Sequence, residues 1–343
     1  MGITISILDQ SPIYPGETGE EALAHTVALA QAAEALGFRR FWVSEHHDSD
    51  QVAGSSPEVL ISYLLAKTKS IRIGSGGVML QHYSPYKVAE NFNVLASLAP
   101  GRVDLGIGRA PGGLPRSTQA LQRGTQDQAS LTDKTVELVN YVHNNLEEDH
   151  PLSGLRATPL PAQVPELYIL GASVGSAEIA AGLGLPYVFS LFINGDESAA
   201  MEAIRAYRRA FDSSHGTKPQ VILALSVIVA ASEEEAAELA GSQKVVKVHL
   251  ASGKILTLGT REQAEEYGRQ AGEPYTIEEQ EPFITKGTKE SVRRRLLELQ
   301  QASGVDEFVI TCNIQPFDKR VRSYELLNEA LAEVPAEVAA EKV

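Results

Sequence analysis

Two adjacent histidines close the stretch Phe41-Trp42-Val43-Ser44-Glu45-His46-His47, directly after an apolar run. An imidazole titrates near neutral pH, so it can both donate and accept a proton in water. Consecutive residues of a strand point to opposite sides, which puts His46 with Ser44 and His47 with Glu45 and keeps the two rings from converging on one ion. No metal site is expected, and one ring of the pair reads as structural, hydrogen-bonded beneath the loop. Further on, Gly74-Ser75-Gly76-Gly77-Val78 places three glycines inside a strand-like run. Glycine there indicates a flat ligand lying against bare backbone, an unusual backbone geometry, or a bend at a barrel corner. The run Asp104–Gly113 again ends a strand with glycines, but Pro111 and the misplaced third glycine rule out a dinucleotide fingerprint. Arg109, just past that strand, is placed to meet an anion or to form an ordinary salt bridge.

Gly171-Ala172-Ser173-Val174-Gly175 follows the strand-like Leu167–Leu170 and opens a helical segment. This is literally a G-x-S-x-G nucleophile elbow, so a serine hydrolase built on Ser173 is one reading. Such an enzyme needs a later acid and a later histidine, and downstream of Ser173 only His215 and His249 are available, neither just after a late strand. The same residues make a helix N-terminus with open N–H groups and the small hydroxyls of Ser173 and Ser176, which suits a phosphate. Cys312, after the last strand, reads as a small buried hydrophobe rather than a reactive thiol.

The elements that must hold these groups follow a βα rhythm. Apolar runs at Ile3–Leu8, Phe41–Val43, Ile71–Leu80, Val103–Gly108, Leu167–Leu170, Tyr187–Leu191, Val221–Ala230 and Glu307–Thr311 alternate with amphipathic segments such as Ala22–Leu36 and Glu233–Val246. Hydrophobicity in these runs is continuous, as it is where both faces of a parallel sheet are covered. Eight units of this kind predict an α/β fold, a (β/α)8 TIM barrel, with the histidines, glycines, Arg109 and Ser173 all at the C-terminal ends of strands, where barrel active sites lie. One domain over residues 1–335 is expected. Pro151–Pro165 reads as a connecting loop. Residues 252–282, polar and glycine-rich, form an insertion between strands seven and eight, read either as a lid over the mouth or as surface helices; residues 336–343 read as a frayed tail.

Composition narrows the partners. Lys and Arg number 30 against 44 Asp and Glu, a net charge of −14, so nucleic acid and anionic membrane surfaces are repelled and a small-molecule substrate is expected. A single cysteine, no secretory signal and no apolar run near the roughly 20 residues of a membrane span fit a cytoplasmic protein.

Together these segments resemble the luciferase-like flavin monooxygenases over nearly the whole chain. The residues that carry the likeness are Ala33–Phe38 leading into Phe41–His47, then Gly74–Leu80, Pro85–Glu90, Pro100–Arg109, Tyr168–Ser176 and Gly184–Pro186. The resemblance implies FMN bound in reduced form, FMNH₂, supplied by a separate NAD(P)H-dependent reductase. It implies a C4a-(hydro)peroxyflavin that oxidises a small organic substrate, with His46, rather than His47, as the catalytic histidine. It also implies a cis peptide at Gly76–Gly77 beneath the flavin ring, and the phosphate held by Arg109 with the amides around Ala172, Ser173 and Ser176. A non-catalytic flavin-binding protein is the other reading of the same likeness. Bacterial luciferase carries a reactive cysteine where this chain has Gly108, so the closer similarity is to the non-luminous, single-subunit branch, which pairs as a homodimer.

Overall fold

The computed structural model describes residues 2–124, 129–214, 216–242 and 244–332. Strands β1 (Thr4–Asp9), β2 (Arg40–Val43), β3 (Arg72–Val78), β4 (Val103–Ile107), β5 (Glu166–Gly171), β6 (Tyr187–Ser190) and β7 (Val221–Val229) are followed by β8 (Val245–Leu250), β9 (Ile255–Leu258), β10 (Tyr275–Gln280), β11 (Ile284–Gly287) and β12 (Glu307–Thr311). The helices are α1 (Gly19–Ala35), α2 (Pro57–Lys67), α3 (Pro85–Leu98), α4 (Pro115–Leu121), α5 (Leu131–His143), α6 (Val174–Gly182), α7 (Leu191–Asn194), α8 (Glu197–Ala210), α9 (Glu233–Ala240), α10 (Arg261–Ala271), α11 (Lys289–Ser303) and α12 (Phe317–Ala332). Strands β1 to β7 pair in order and in parallel; β7 then pairs with β12, and β12 with β1, which closes the eight-stranded barrel. All eight expected strands are the barrel strands. Continuous apolar sequence is explained by two shells of core: Phe41, Ile73, Leu105 and Phe308 face the helices, while Leu8, Trp42, Tyr168, Val188, Ile222, Ala224 and Val309 fill the barrel.

Below this plug, at the end where the strands begin, the lumen is ionic. Arg40 donates to Glu307 at 2.7 Å, to Asp104 at 2.8 Å and to the Tyr168 hydroxyl at 2.7 Å. Arg72 joins Asp104 at 2.5 Å and Glu166 at 3.0 Å, and the Trp42 indole donates to Asp104 at 2.9 Å. Burial alone would lower the Arg40 pKa, but the carboxylates of Asp104 and Glu307 overcome it and hold the guanidinium firmly charged.

Three local expectations need correction. The helix read over Glu233–Val246 ends at Ala240, where Gly241 takes a positive φ of 62°, and Val245 and Val246 begin β8 instead. The insertion therefore starts at β8, ahead of residue 252. It contains a three-stranded antiparallel sheet, β10-β8-β9, with α10 against it, rather than helices alone. Finally, β11 is an unforeseen four-residue strand that pairs with the outer half of β7, Ser226–Val229, after the inner half has been used by β6 and β12. Residues 151–165 carry no strand or helix, as read. The tail 336–343 and His215 lie outside the described residues. Among the described residues no helix is long and apolar enough to cross a membrane.

Candidate active site

The end of β2 sorts the two histidines by strand alternation. Ser44 Oγ lies 3.0 Å from His46 Nδ1, on the lumen side with Trp42 and Arg40. On the other side, His47 Nε2 lies 2.7 Å from Glu45 Oε1. Glu45 is fully buried and also accepts from the Tyr83 hydroxyl at 2.7 Å and the Met79 amide at 2.9 Å. It thus ties the loop after β2 to the loop after β3. His46 is anchored by its own amide, which donates to the Gly54 carbonyl at 2.8 Å. Burial, with the neighbouring His47 adding to it, lowers the His46 pKa to about 4, so the ring is neutral near pH 7. The ordinary imidazole value, which had made a histidine attractive as a proton donor at neutral pH, therefore does not apply to it.

The peptide between Gly76 and Gly77 is cis. A Cβ on Gly76 would stand 2.7 Å from Leu8 Cδ1 and 3.3 Å from Trp42 Cβ, and one on Gly77 would stand 2.7 Å from the Gly106 carbonyl oxygen. The floor of the mouth is thus bare backbone of β3 and β4 laid on Leu8 and Trp42. The glycines are required by the closeness of the strands as well as by anything that rests on them.

Arg109 emerges from β4 exposed to solvent and forms no ion pair among the described residues. The loop it enters is fastened to the histidine loop, because the His47 amide donates to the Gly112 carbonyl at 2.7 Å. Across the rim, Ser173 is the N-cap of α6 in a reciprocal box with Ser176. The Ser176 hydroxyl sits 2.9 Å from the Tyr187 hydroxyl, which itself donates to the Ser173 carbonyl at 3.1 Å. Burial pushes the Tyr187 pKa up to about 12, offset in part by these bonds and by the positive charge of Arg109, which is close enough to be felt there. Strands β4 and β5 are paired neighbours, with Ile107 beside Ile169, so Arg109 and the start of α6 follow adjacent strand ends. The Ser173 and Ser176 amides are engaged by the box at 3.3 and 3.4 Å, which leaves the first-turn amides of Val174 and Gly175 without an acceptor in the helix. Nothing would stand within 4 Å of a Cβ on Gly175.

Ser173 makes no hydrogen bond to a histidine among the described residues, and His249 instead meets Glu278 at 3.0 Å in the insertion. Cys312 is buried, faces Ser323 of α12 rather than the mouth, and burial raises its thiol pKa. Sequence reasoning missed Glu45, Tyr83 and Tyr187, which hold the site from behind. Strand alternation was the only signal for Glu45 and Tyr187, and Tyr83, just past the turn over Leu80–His82, had none.

A closed parallel barrel thus gathers a histidine, an arginine with no ion pair among the described residues and an open helix N-terminus at the C-terminal ends of its strands, the end where barrel enzymes carry their sites. The sequence model of the luciferase-like monooxygenases matches residues 1–307, and the chain belongs to that family. It is 46% identical over 332 residues to the N-acetyl-S-alkylcysteine monooxygenase of Bacillus subtilis (strain 168), covering 96% of this chain and 98% of that one. It is 33% identical over 334 residues to a luciferase-like monooxygenase of Escherichia coli (strain K12), covering 97% and 98%. The solved structure of apo-MsnO8 superposes with a TM-score of 0.78 at 34% identity, covering 97% of this chain and 99% of that one. The protein is accordingly an enzyme, a flavin-dependent monooxygenase.

Proposed function

We propose that this enzyme binds reduced FMN delivered by a separate flavin reductase and uses it with dioxygen to oxygenate a small thioether carboxylate of the N-acyl-S-alkylcysteine type. The observation that carries the cofactor reading is the division of the mouth: an arginine with no ion pair among the described residues and open amides at one corner, a neutral, half-buried histidine at the other, and bare backbone between them; the substrate class is taken from the relative 46% identical to this chain. The residues fit the cofactor. Arg109 with the Val174 and Gly175 amides, together with Ala172, Ser173 and Ser176, would hold the phosphate, and Gly76–Gly77 would lie under the ring. When bound, reduced FMN supplies two electrons to dioxygen, so that one oxygen atom enters the substrate and the other leaves as water. His46, with Nδ1 engaged by Ser44, presents Nε2 as the nitrogen that exchanges a proton with the reacting groups.

The insertion is suited to exclude water from this chemistry. Its Gln263 meets Gln51 at 3.2 Å in the loop after β2, its Gln270 accepts from the Arg116 amide at 3.0 Å after β4, and its Lys247 donates to Asn194 at 3.3 Å after β6. These three points lie around the rim, so the insertion bridges the mouth as a lid. Homodimerisation in the cytoplasm completes the reading. Val59 and Tyr63 of α2 and Val94 and Leu98 of α3 leave an exposed apolar face on adjacent helices, and sedimentation of a monomer at micromolar concentration would remove that part. The test of function is oxygen uptake by protein loaded with photoreduced FMN, with N-acetyl-S-methylcysteine as substrate. Oxygenated product is expected; hydrogen peroxide alone, unchanged by substrate, overturns the oxygenase reading for that class.

A further inference from the structure

The insertion carries a cation that its own fold leaves unused. Within β8, Val246, Val248 and Leu250 point to α10 and pack on Ala264 and Tyr267. Lys247 and His249 consequently project from the opposite face, and that face is turned to the barrel, because the Lys247 ammonium donates to the Asn194 carbonyl just beyond β6. Gln280, on the same face, stands 3.5 Å from where a Cβ on Gly195 would lie.

The neighbouring cations are all satisfied: Lys244 by Glu281, Arg261 by Glu265 and Glu279, Arg269 by Glu266, and Lys254 by the Tyr267 hydroxyl. Lys247 has an acid directly opposite it in the register, Glu278, yet that carboxylate is bonded to His249 at 3.0 Å. Lys247 thus makes no ion pair among the described residues and keeps one 3.3 Å bond to a neutral carbonyl, half-buried over the mouth of a chain of net charge −14. A half-desolvated ammonium with a single weak acceptor is a site for an anion. The phosphate corner already has Arg109, and Asn194 joins the two regions, since its amide donates to the Ala172 carbonyl at 2.9 Å.

We propose that Lys247 is a specificity-determining residue that takes the carboxylate of the substrate as the insertion covers it, so that the thioether end lies toward His46. The assignment rests on the thioether carboxylate named above and deepens it. An uncharged ester of the same molecule would lose this contact and no other.

The experiment is calorimetric titration of protein holding oxidised FMN with N-acetyl-S-methylcysteine and with its methyl ester, for wild type, Lys247→Met and Lys247→Arg, beside FMN titrations of the three proteins. Wild type should bind the acid more tightly than the ester. Lys247→Met should weaken the acid about tenfold or more while leaving the ester and FMN unchanged, as expected for loss of one charged contact, and Lys247→Arg should recover most of it. Equal affinity of Lys247→Met and wild type for the acid overturns the assignment, and so does a matching loss of FMN affinity, which would place Lys247 in the phosphate clamp. Wild type that binds neither acid nor ester overturns the substrate class and the subsite with it, while oxygen uptake with other substrates would leave the monooxygenase reading standing.

Discussion

Where the barrel strands begin, Arg40, Asp104 and Glu307 are bonded inside the lumen, with Arg72 and the half-exposed Glu166 closing the network at its lower rim, whereas where they finish, Arg109 and Lys247 have no acid partner among the described residues. The first end carries charge into a confined space, at a cost in desolvation that is offset within the chain. At the second, Arg109 stands in solvent and Lys247 is half-buried, and neither charge is met from within the described chain, so both are left to something that binds. Charge alone is therefore a poor marker of a site in this fold; charge without an internal partner, at the C-terminal end of the strands, is the informative feature.

The largest effect expected is at the closed end. Arg40→Met leaves Asp104 and Glu307 buried without their shared cation, and breaking a buried pair from one side typically costs about 3–5 kcal/mol. Denaturant unfolding should show a loss of that order, with FMN affinity of the folded protein unaltered. A loss under about 1 kcal/mol would mean that the network is not the closed structural unit described.

At the open end, His46→Ala should cut product formation about 10²- to 10⁴-fold, the range of a single acid–base group, and leave FMN affinity and the bottom network untouched. Stopped-flow product formation and peroxide release distinguish this from loss of cofactor. If His47→Ala gives the kinetic defect instead, the two rings have been assigned the wrong way round. His46 also supplies a sign for stability. Its folded pKa of about 4 lies below the ordinary value of 6.5, so between these limits the unfolded chain takes up a proton that the folded site refuses. The stability contributed by the neutral ring is complete above pH 6.5 and is lost as pH falls toward 4, by at most roughly 3 kcal/mol. His46→Asn should flatten that part of the pH–stability curve; an unchanged slope would show that the ring is not held neutral.

Arg109→Ala should be smaller still and should divide the two ends most sharply. FMN affinity is expected to fall about ten- to hundredfold, as for loss of one charged contact, while stability moves by less than about 0.5 kcal/mol because nothing inside the chain depends on the guanidinium. Fluorescence titration of FMN checks the first and thermal unfolding the second. Unchanged affinity would move the phosphate elsewhere.

The barrel was legible because each of its strands is buried on both faces, which writes itself as unbroken apolar sequence; Val221–Val229 is the plainest case. The insertion was not, because β8 is half-exposed and reads Val-Val-Lys-Val-His-Leu, an alternation whose first two valines also extend the preceding helical run. Strand β11 is four residues long, too short for any period to show. Among the site residues, strand alternation separated His46 from His47 without a structure. The partners of Arg40 were hidden for a different reason: Asp104 and Glu307 are single charges at the starts of apolar strands, and only closure of the barrel brings β2, β4 and β12 face to face. Lys247 was invisible until β8 was known to be a strand, since its orientation depends on that period of two.

The smallest effect expected, at Ser173, tests whether the open end holds a nucleophile or a cap. In the hydrolase reading Ser173 is the reacting atom, and its loss abolishes turnover. In the structure its hydroxyl receives the Ser176 amide at 3.4 Å and closes a reciprocal box at the start of α6, with the Ser176 hydroxyl held from behind by Tyr187. Removing such a cap typically costs about 1 kcal/mol, and the bonds here are long, so Ser173→Ala should sit at or below that value. The amides of Val174 and Gly175 remain in place, so FMN affinity should fall by less than about tenfold and oxygenation should continue. A fluorophosphonate probe should leave wild-type protein unlabelled, because no described histidine reaches the hydroxyl to activate it. Labelling of the wild type that disappears in Ser173→Ala, together with loss of all turnover, would make the corner beside Arg109 an acyl-transfer site and reverse the contrast between the two ends.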